Sequence, residues 1–354
     1  MYPCEPSILK RFYIISECPT SFIRTNDKKI ILGNLDKANM SQEDFQFSPQ
    51  YNFVRSRQLE GTFSQGREVG VWVVTGMRVA KGWGDPQESG WPYSTKYWPP
   101  QEPPDIDELA KKRRFHSYQR VRDANECREA IAGGTTFVAA FGITNQWFLA
   151  EGGIIEEPSG KNPIIGKSHA VCVLGFDDNK RLFTFVNSWG KHWGNHGYGY
   201  LSYEYFDKYI LESWTIKFMH QTRPISSSEQ KPGRWLLKWG ISDTLGGVLH
   251  GIELYQENGD EFIGWAFAVR RWGGSFLDVE ELFVRPNFRG STQGRILAEE
   301  LNGLAEREGL PLRLWIPHVD ANQTNLPRVE KIAKRLGLKL LPSGVRWASL
   351  KAAP

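Results

Sequence analysis

Three residues late in the first half of the chain have the types and order that can break an amide bond. His169 lies at the start of the apolar run 168–177, Asn187 follows the next run, 182–186, and Trp189 comes two residues later. An asparagine side-chain oxygen can hold one imidazole nitrogen, which leaves the other facing outward as a base. A thiol facing that base loses its proton near neutral pH, and the thiolate attacks a carbonyl carbon. An indole beside the pair excludes water and strengthens the hydrogen bond. The bland alternative is a satisfied core histidine and an asparagine that only makes a turn.

A hairpin must position these groups. Residues 168–177 and 182–186 read as strands, with a turn at Asp178, Asn179 and Lys180. Pairing of the two strands brings His169 and Asn187 near each other. The chain then continues from Asn187 to Tyr198 as N-S-W-G-x-x-W-G-x-x-G-Y.

That run, one hairpin after a histidine, resembles the papain-like cysteine peptidases. The likeness covers about residues 45–217. Residues 47–62 resemble the family's Leu-Ser-x-Gln/Leu helix, 90–100 its Tyr-Pro-Tyr segment, and 124–143 the helix and strand that lead into the histidine hairpin. The resemblance implies a papain-like fold, a peptide or protein substrate, and His169, Asn187 and Trp189 as active-site residues. The family's nucleophile signature, roughly Q-G-x-C-x-S-C-W-A-F, is absent. Cys4 and Cys18 precede His169 in the required order, whereas Cys127 falls in another element. Cys18 lies ~150 residues ahead, near the family spacing, and Pro19 suits a first helical turn. However, Phe12 stands where the oxyanion-hole glutamine belongs, and the segment after Cys18 has no apolar helical face. Cys18 is the candidate nucleophile; the alternative is a peptidase fold that lacks one.

The second half carries a different pattern. Residues 251–255 and 261–271 read as a hairpin around Asn258-Gly259, 276–284 as a strand, 293–307 as a helix, and the alternation of Leu312, Leu314 and Ile316 as another strand. Leu326, Val329, Ile332 and Leu336 mark a last helix, with Gly337 at its stop. A helix start after a glycine-bearing loop is an anion site. This order resembles the GNAT acetyltransferases, whose Q/R-x-x-G-x-G/A loop stands here as Arg289-Gly290-Ser291-Thr292-Gln293-Gly294, with Thr292 replacing the middle glycine. The resemblance implies acetyl-CoA as cofactor. The backbone of Leu282 and Val284 would pair with its pantetheine arm, and the amides of Arg289, Gly290, Thr292, Gly294 and Arg295 would hold the pyrophosphate, with Asn325 also in the cofactor site. Glu281, or Glu280 beside it, would act as base for an amine; the alternative is a pair of solvated strand charges. Ala333 occupies the position where many members place an acidic tyrosine. Lys331, Lys334 and Arg335 form a basic helix face, read as solvated, with contact to a CoA phosphate as the minor alternative. The domain is short, because the usual first helices before the hairpin are not evident.

With 354 residues, the chain is long enough for two cores. A net charge of +4 is too small for a nucleic-acid footprint, and no apolar run is long enough to span a membrane. His192 and His196 flank Trp193-Gly194 without a carboxylate or thiol at ligand spacing, so no metal site is expected. Four cysteines without a framework spacing suit a reducing, cytoplasmic setting. The expected organisation is α+β: a papain-like domain over 1–220, atypical over 1–44; a polar linker at 221–233; and a shortened GNAT α/β fold over 234–354. The function implied is a cysteine-type peptidase fused to an N-acyltransferase. The alternative is a dead peptidase fold that binds peptides for the transferase.

Overall fold

The computed structural model describes residues 47–66, 69–94, 96–133, 135–217, 235–244, 246–256, 261–290, 292–316, 326–340 and 347–350. Cys18, Asn325, the Asn258-Gly259 turn and the 221–233 linker lie outside them. The chain divides into two compact units, Met1–Arg114 with Arg120–Ile216, and Phe115–Gln119 with Lys217–Pro354. No helix among the described residues is long and apolar enough to cross a membrane.

In the first unit, helix α1 (Pro49–Leu59) starts where its sequence says it should. The Ser48 hydroxyl accepts from Tyr51 N at 3.1 Å, and proline occupies the first turn. Helix α2 (Val73–Gly82) packs against α1; Tyr51, Val54 and Val79 form one core with Trp91, Ile106 and Ala110. The first amides of α2 are satisfied by two carboxylates rather than by a local cap. Trp72 N donates to Glu60 Oε1 at 2.9 Å, and Val73 N and Val74 N donate to the two oxygens of Glu212 at 2.6 and 3.2 Å. Negative charge belongs at this end of a helix.

Helices α3 (Ile106–Lys111) and α4 (Ala124–Ala132) precede the sheet. Its strands are β1 (Phe137–Thr144), β2 (Ile164–Asp177), β3 (Leu182–Val186), β4 (Tyr198–Ser202) and β5 (Ile210–Lys217), with the short α5 (Tyr203–Tyr209) before the last. They lie in the order β5-β1-β2-β3-β4, each pair antiparallel. In β3, Phe183 and Phe185 are buried while Leu182, Thr184 and Val186 are half-buried, the period of two that one covered face imposes.

The second unit contains a sheet of seven strands. These are β6 (Trp235–Thr244), β7 (Gly247–Gln256), β8 (Phe262–Arg271), β9 (Leu277–Val284), β10 (Leu312–Trp315), β11 (Leu338–Leu340) and β12 (Trp347–Leu350), in the order β6-β7-β8-β9-β10-β12-β11. Helices α6 (Gln293–Glu308) and α7 (Leu326–Arg335) supply Leu297, Leu301, Leu304, Val329 and Ala333 to its core. Strand β6 was not anticipated, although Trp235, Leu237 and Trp239 carry the alternation that packs it on that core. A bulge interrupts the β8–β9 ladder between Val279 and Glu281. Leu277 and Val279 face the helices before it, and Leu282 and Val284 after it, so the extra residue shifts the parity of the strand. Strand β9 pairs with β10 in parallel only from Leu277 to Val279.

A buried charge network ties β8, β9 and β10 together. Arg271 reaches Asp278 at 3.2 Å and Glu280 at 2.6 Å, and Arg313 grips both Asp278 oxygens at 2.7 and 2.9 Å. Asp278→Ala should cost the second unit about 3 kcal/mol, because Arg313 loses its contacts to both Asp278 oxygens while buried Arg271 keeps Glu280. Amide exchange of β8 and β9 in the full chain measures this; unchanged protection would show that the network does not carry the sheet.

Candidate active sites

The ladder that sets His169 is β1–β2–β3: Phe141 faces His169 across one pair, and Val173 faces Phe185 across the next. His169 Nε2 lies 2.8 Å from Asn187 Oδ1. An amide oxygen only accepts, so Nε2 carries the proton and Nδ1 is left as the basic nitrogen. Trp189 covers the imidazole, with ring centroids 4.5 Å apart at 31°, and Trp147 meets it edge-on at 6.1 Å. Phe148 stacks on Trp189 at 5.2 Å. His169 and Asn187 are 3% and 6% exposed.

The loop after Asn187 closes on itself. Asn187 N donates to Gly197 O at 2.9 Å, and Gly197 N to Trp193 O at 2.8 Å. The Trp193 indole donates to Trp147 O at 2.7 Å, and the Trp147 indole to Tyr205 Oη at 2.9 Å. Two glycines, one in the motif and one just after it, have a steric reason. A Cβ on Gly194, at φ +57°, would fall 2.5 Å from Tyr198 O, and one on Gly199 would fall 2.2 Å from the Phe185 ring.

A cavity of about 220 Å³ lies beside His169. Its walls are Val71, Trp72 and Val73 before and in α2, Val138 and Ala140 of β1, Ala170 of β2, and Leu211 and Glu212 of β5. Glu212 gives its charge to the α2 amides and to the Trp214 indole at 3.0 Å, and burial pushes its carboxyl up. Burial raises the Glu60 carboxyl from 4.5 to about 7, against the hydrogen bond from the Trp72 amide. The cavity therefore presents apolar walls over an acidic but already engaged floor.

In the second unit the strand edge opens where β9 leaves β10. Beyond Val279, residues 280–284 of β9 have no ladder partner on the β10 side among the described residues. A cavity of about 140 Å³ follows this edge, lined by Leu282, Phe283 and Val284, by Arg289, Gly290 and Gly294 at the start of α6, and by Arg328, Lys331, Ile332 and Arg335 of α7. A smaller one, about 30 Å³, sits in the splay and is lined by Glu280, Glu281, Leu314 and Ile316 among others. Tyr118, from the Phe115–Gln119 segment of the same unit, donates its hydroxyl to Glu281 Oε2 at 2.9 Å.

The papain family cysteine protease model matches residues 69–216, the span that holds the His169–Asn187 pair. Residues 69–216 form a papain-family cysteine peptidase domain. The acetyltransferase (GNAT) family model matches residues 208–334. An uncharacterized peptidase C1-like protein of Acanthamoeba polyphaga mimivirus is 26% identical over 191 residues, 50% of this chain and 60% of that one. Cysteine proteinase 1 of Entamoeba histolytica is 33% identical over 98 residues, 27% of this chain and 30% of that one. The chain thus spans less than two thirds of either relative. Among solved structures, xylellain, a cysteine protease from Xylella fastidiosa, is similar at 26% identity and TM-score 0.46, over 51% of this chain and 73% of that one. Procathepsin L 3 of Tenebrio molitor larval midgut is similar at 18% identity and TM-score 0.38, over 49% and 57%.

The papain-family domain brings His169, Asn187 and Trp189 together; Cys18 lies outside the described residues. Cys127 is a buried thiol on α4 whose pKa burial pushes well up, the opposite of what a thiolate nucleophile needs. In the GNAT-like unit, Leu282, Val284, Arg289, Gly290 and Gly294 share one cavity. Thr292 and Arg295 are not on its wall, and Arg295 reaches outward to Glu299 at 3.7 Å. Glu280 and Glu281 are not solvated strand charges: they are 1% and 3% exposed, because the bulge turns both inward. Glu280 is held by Arg271, whereas Glu281 lies at the splay. Ala333 is buried in the core and offers no proton donor. Of the basic face, exposed Lys331 and half-buried Arg335 line the cavity, whereas Lys334 is exposed and off its wall; Arg328, Phe283 and Ile332, which sequence reasoning did not place in a site, line it as well. The period of α7 was the available signal, since 328, 331, 332 and 335 share one side of a helix.

Glu60 makes the cleft wall pH-sensitive. Its folded pKa is raised, so the native state keeps a proton that the unfolded chain releases above about 4.5, and stability falls as pH rises from there to about 7. Thermal unfolding across that window should lose much of its slope in Glu60→Gln. A variant with the parent's slope would rule out this residue as the source.

Proposed function

We propose that the papain-family domain cleaves peptide or isopeptide bonds, with Cys18 as nucleophile and His169 as its base. The observation that supports this is the 2.8 Å His169–Asn187 contact under Trp189, which puts the proton on Nε2 and makes Nδ1 the nitrogen that can take a thiol proton. In the forward step the thiolate attacks the carbonyl carbon, His169 returns the proton to the leaving amine, and water releases the acyl group from sulfur. The neighbouring cavity suits an apolar substrate side chain, because the charge of Glu212 is already spent on the α2 amides. A second reading, a peptide-binding module without cleavage, is favoured by one sequence feature: the family's nucleophile signature is missing.

Labelling the full chain with a peptidyl epoxide, followed by mass spectrometry, separates the two. One-to-one modification at Cys18 that disappears in His169→Ala supports the peptidase. Labelling that ignores His169, or none at all, supports the binding module.

We propose further that the second unit transfers an acetyl group from acetyl-CoA to an amine. The open β9 edge and the adjoining loop cavity support it, with Glu281 at the splay as the base. Acetyl-CoA should bind the full chain saturably, and Gly294→Glu should abolish binding. The side chain would meet Arg335 at 3.3 Å and carry negative charge into the pyrophosphate position. No binding at millimolar ligand would sink the acyl-CoA reading.

A further inference from the structure

The cavity beside the β9 edge is more cationic than a backbone phosphate loop requires. Arg289 comes from the loop, and Arg328, Lys331 and Arg335 come from α7, while no carboxylate among the described residues lines the space. The three α7 residues are spaced by three and four, so they share one side of the helix with Ile332, which also lines the cavity. Lys334, on the same helix, is not on the wall. Arg335 is held over the first turn of α6: a Cβ on Gly294 would come 3.3 Å from its Nη1. That turn has no acidic residue and no side-chain cap, so the positive end of the α6 dipole meets no carboxylate of its own first turn. Arg328 and Arg335 are half-buried, whereas Lys331 is exposed at the rim.

We propose that α7 supplies side-chain recognition of the cofactor's phosphates, with Arg335 on the diphosphate at the start of α6 and Lys331 on the 3′-phosphate of coenzyme A. The proposal rests on the acyl-CoA reading and adds a selectivity to it. The diphosphate is the natural ligand of the helix start. The 3′-phosphate is a monoester that carries roughly −1.5 to −2 charges at pH 7. It is the most strongly hydrated group of the cofactor, and a lysine ammonium at the rim can meet it as a compact point charge without burying it.

The test is calorimetric titration of the full chain with coenzyme A and with 3′-dephospho-coenzyme A. The parent protein should prefer coenzyme A by about tenfold, the scale of one charge-assisted contact. Lys331→Ala should erase most of that preference, Lys331→Arg should keep it, and Arg335→Ala should weaken both ligands alike. Equal binding of the two ligands by the parent, or a full preference in Lys331→Ala, overturns the proposal and leaves cofactor binding intact. If neither ligand binds, the acyl-CoA reading fails and this inference goes with it.

Discussion

The contact on which the first site depends is one hydrogen bond, from His169 Nε2 to Asn187 Oδ1. It selects the tautomer, and with the tautomer it decides which nitrogen can act as a base. The bond exists because the end of the ladder near the site pairs Cys172 with Val186 and Val173 with Phe185. A slip of β2 by a single residue would turn His169 to the other face of the sheet, away from Asn187. The tryptophan–glycine loop guards that register from the far side. Its backbone bond from Asn187 to Gly197, and the contact between the Trp193 indole and Trp147 O, close the loop only if Gly194 and Gly199 carry no side chain.

The cleft wall is built on a second economy of charge. Glu60 and Glu212 come from elements far apart in sequence, yet both end on consecutive amides of α2. A helix start normally draws on a nearby serine or aspartate. Here the carboxylates of half-buried Glu60 and buried Glu212 take that role, and desolvation raises both pKa values. The wall of the apolar cavity is thereby linked to pH although no titrating group needs to touch a substrate.

In the second unit the corresponding constraint is the bulge in β9. It reverses the parity of the strand, turns Glu280 and Glu281 inward, and marks the point where β10 departs. Beyond Val279 the β9 edge has no ladder partner on the β10 side among the described residues. The Arg271–Asp278–Glu280–Arg313 network lies on the strand residues just before the opening and holds the paired part of the sheet against it.

Much of this was legible in the chain itself. The run from Asn187 to Tyr198 announces a tight loop because its glycines answer local steric demands, and the hairpin before it follows from strand alternation. The α6 and α7 periodicities, and the stop at Gly337 with its φ of +71°, are equally local. Tertiary structure alone decided which charges matter. Sequence could not tell a solvated glutamate from a buried one at 280 or 281, since a bulge has no compositional mark. It could not bring Glu60 and Glu212 to one helix end, or turn a basic face of α7 toward the α6 loop. The physical reason is the same in each case: local conformation depends on neighbours along the chain, whereas burial and charge pairing depend on neighbours in space.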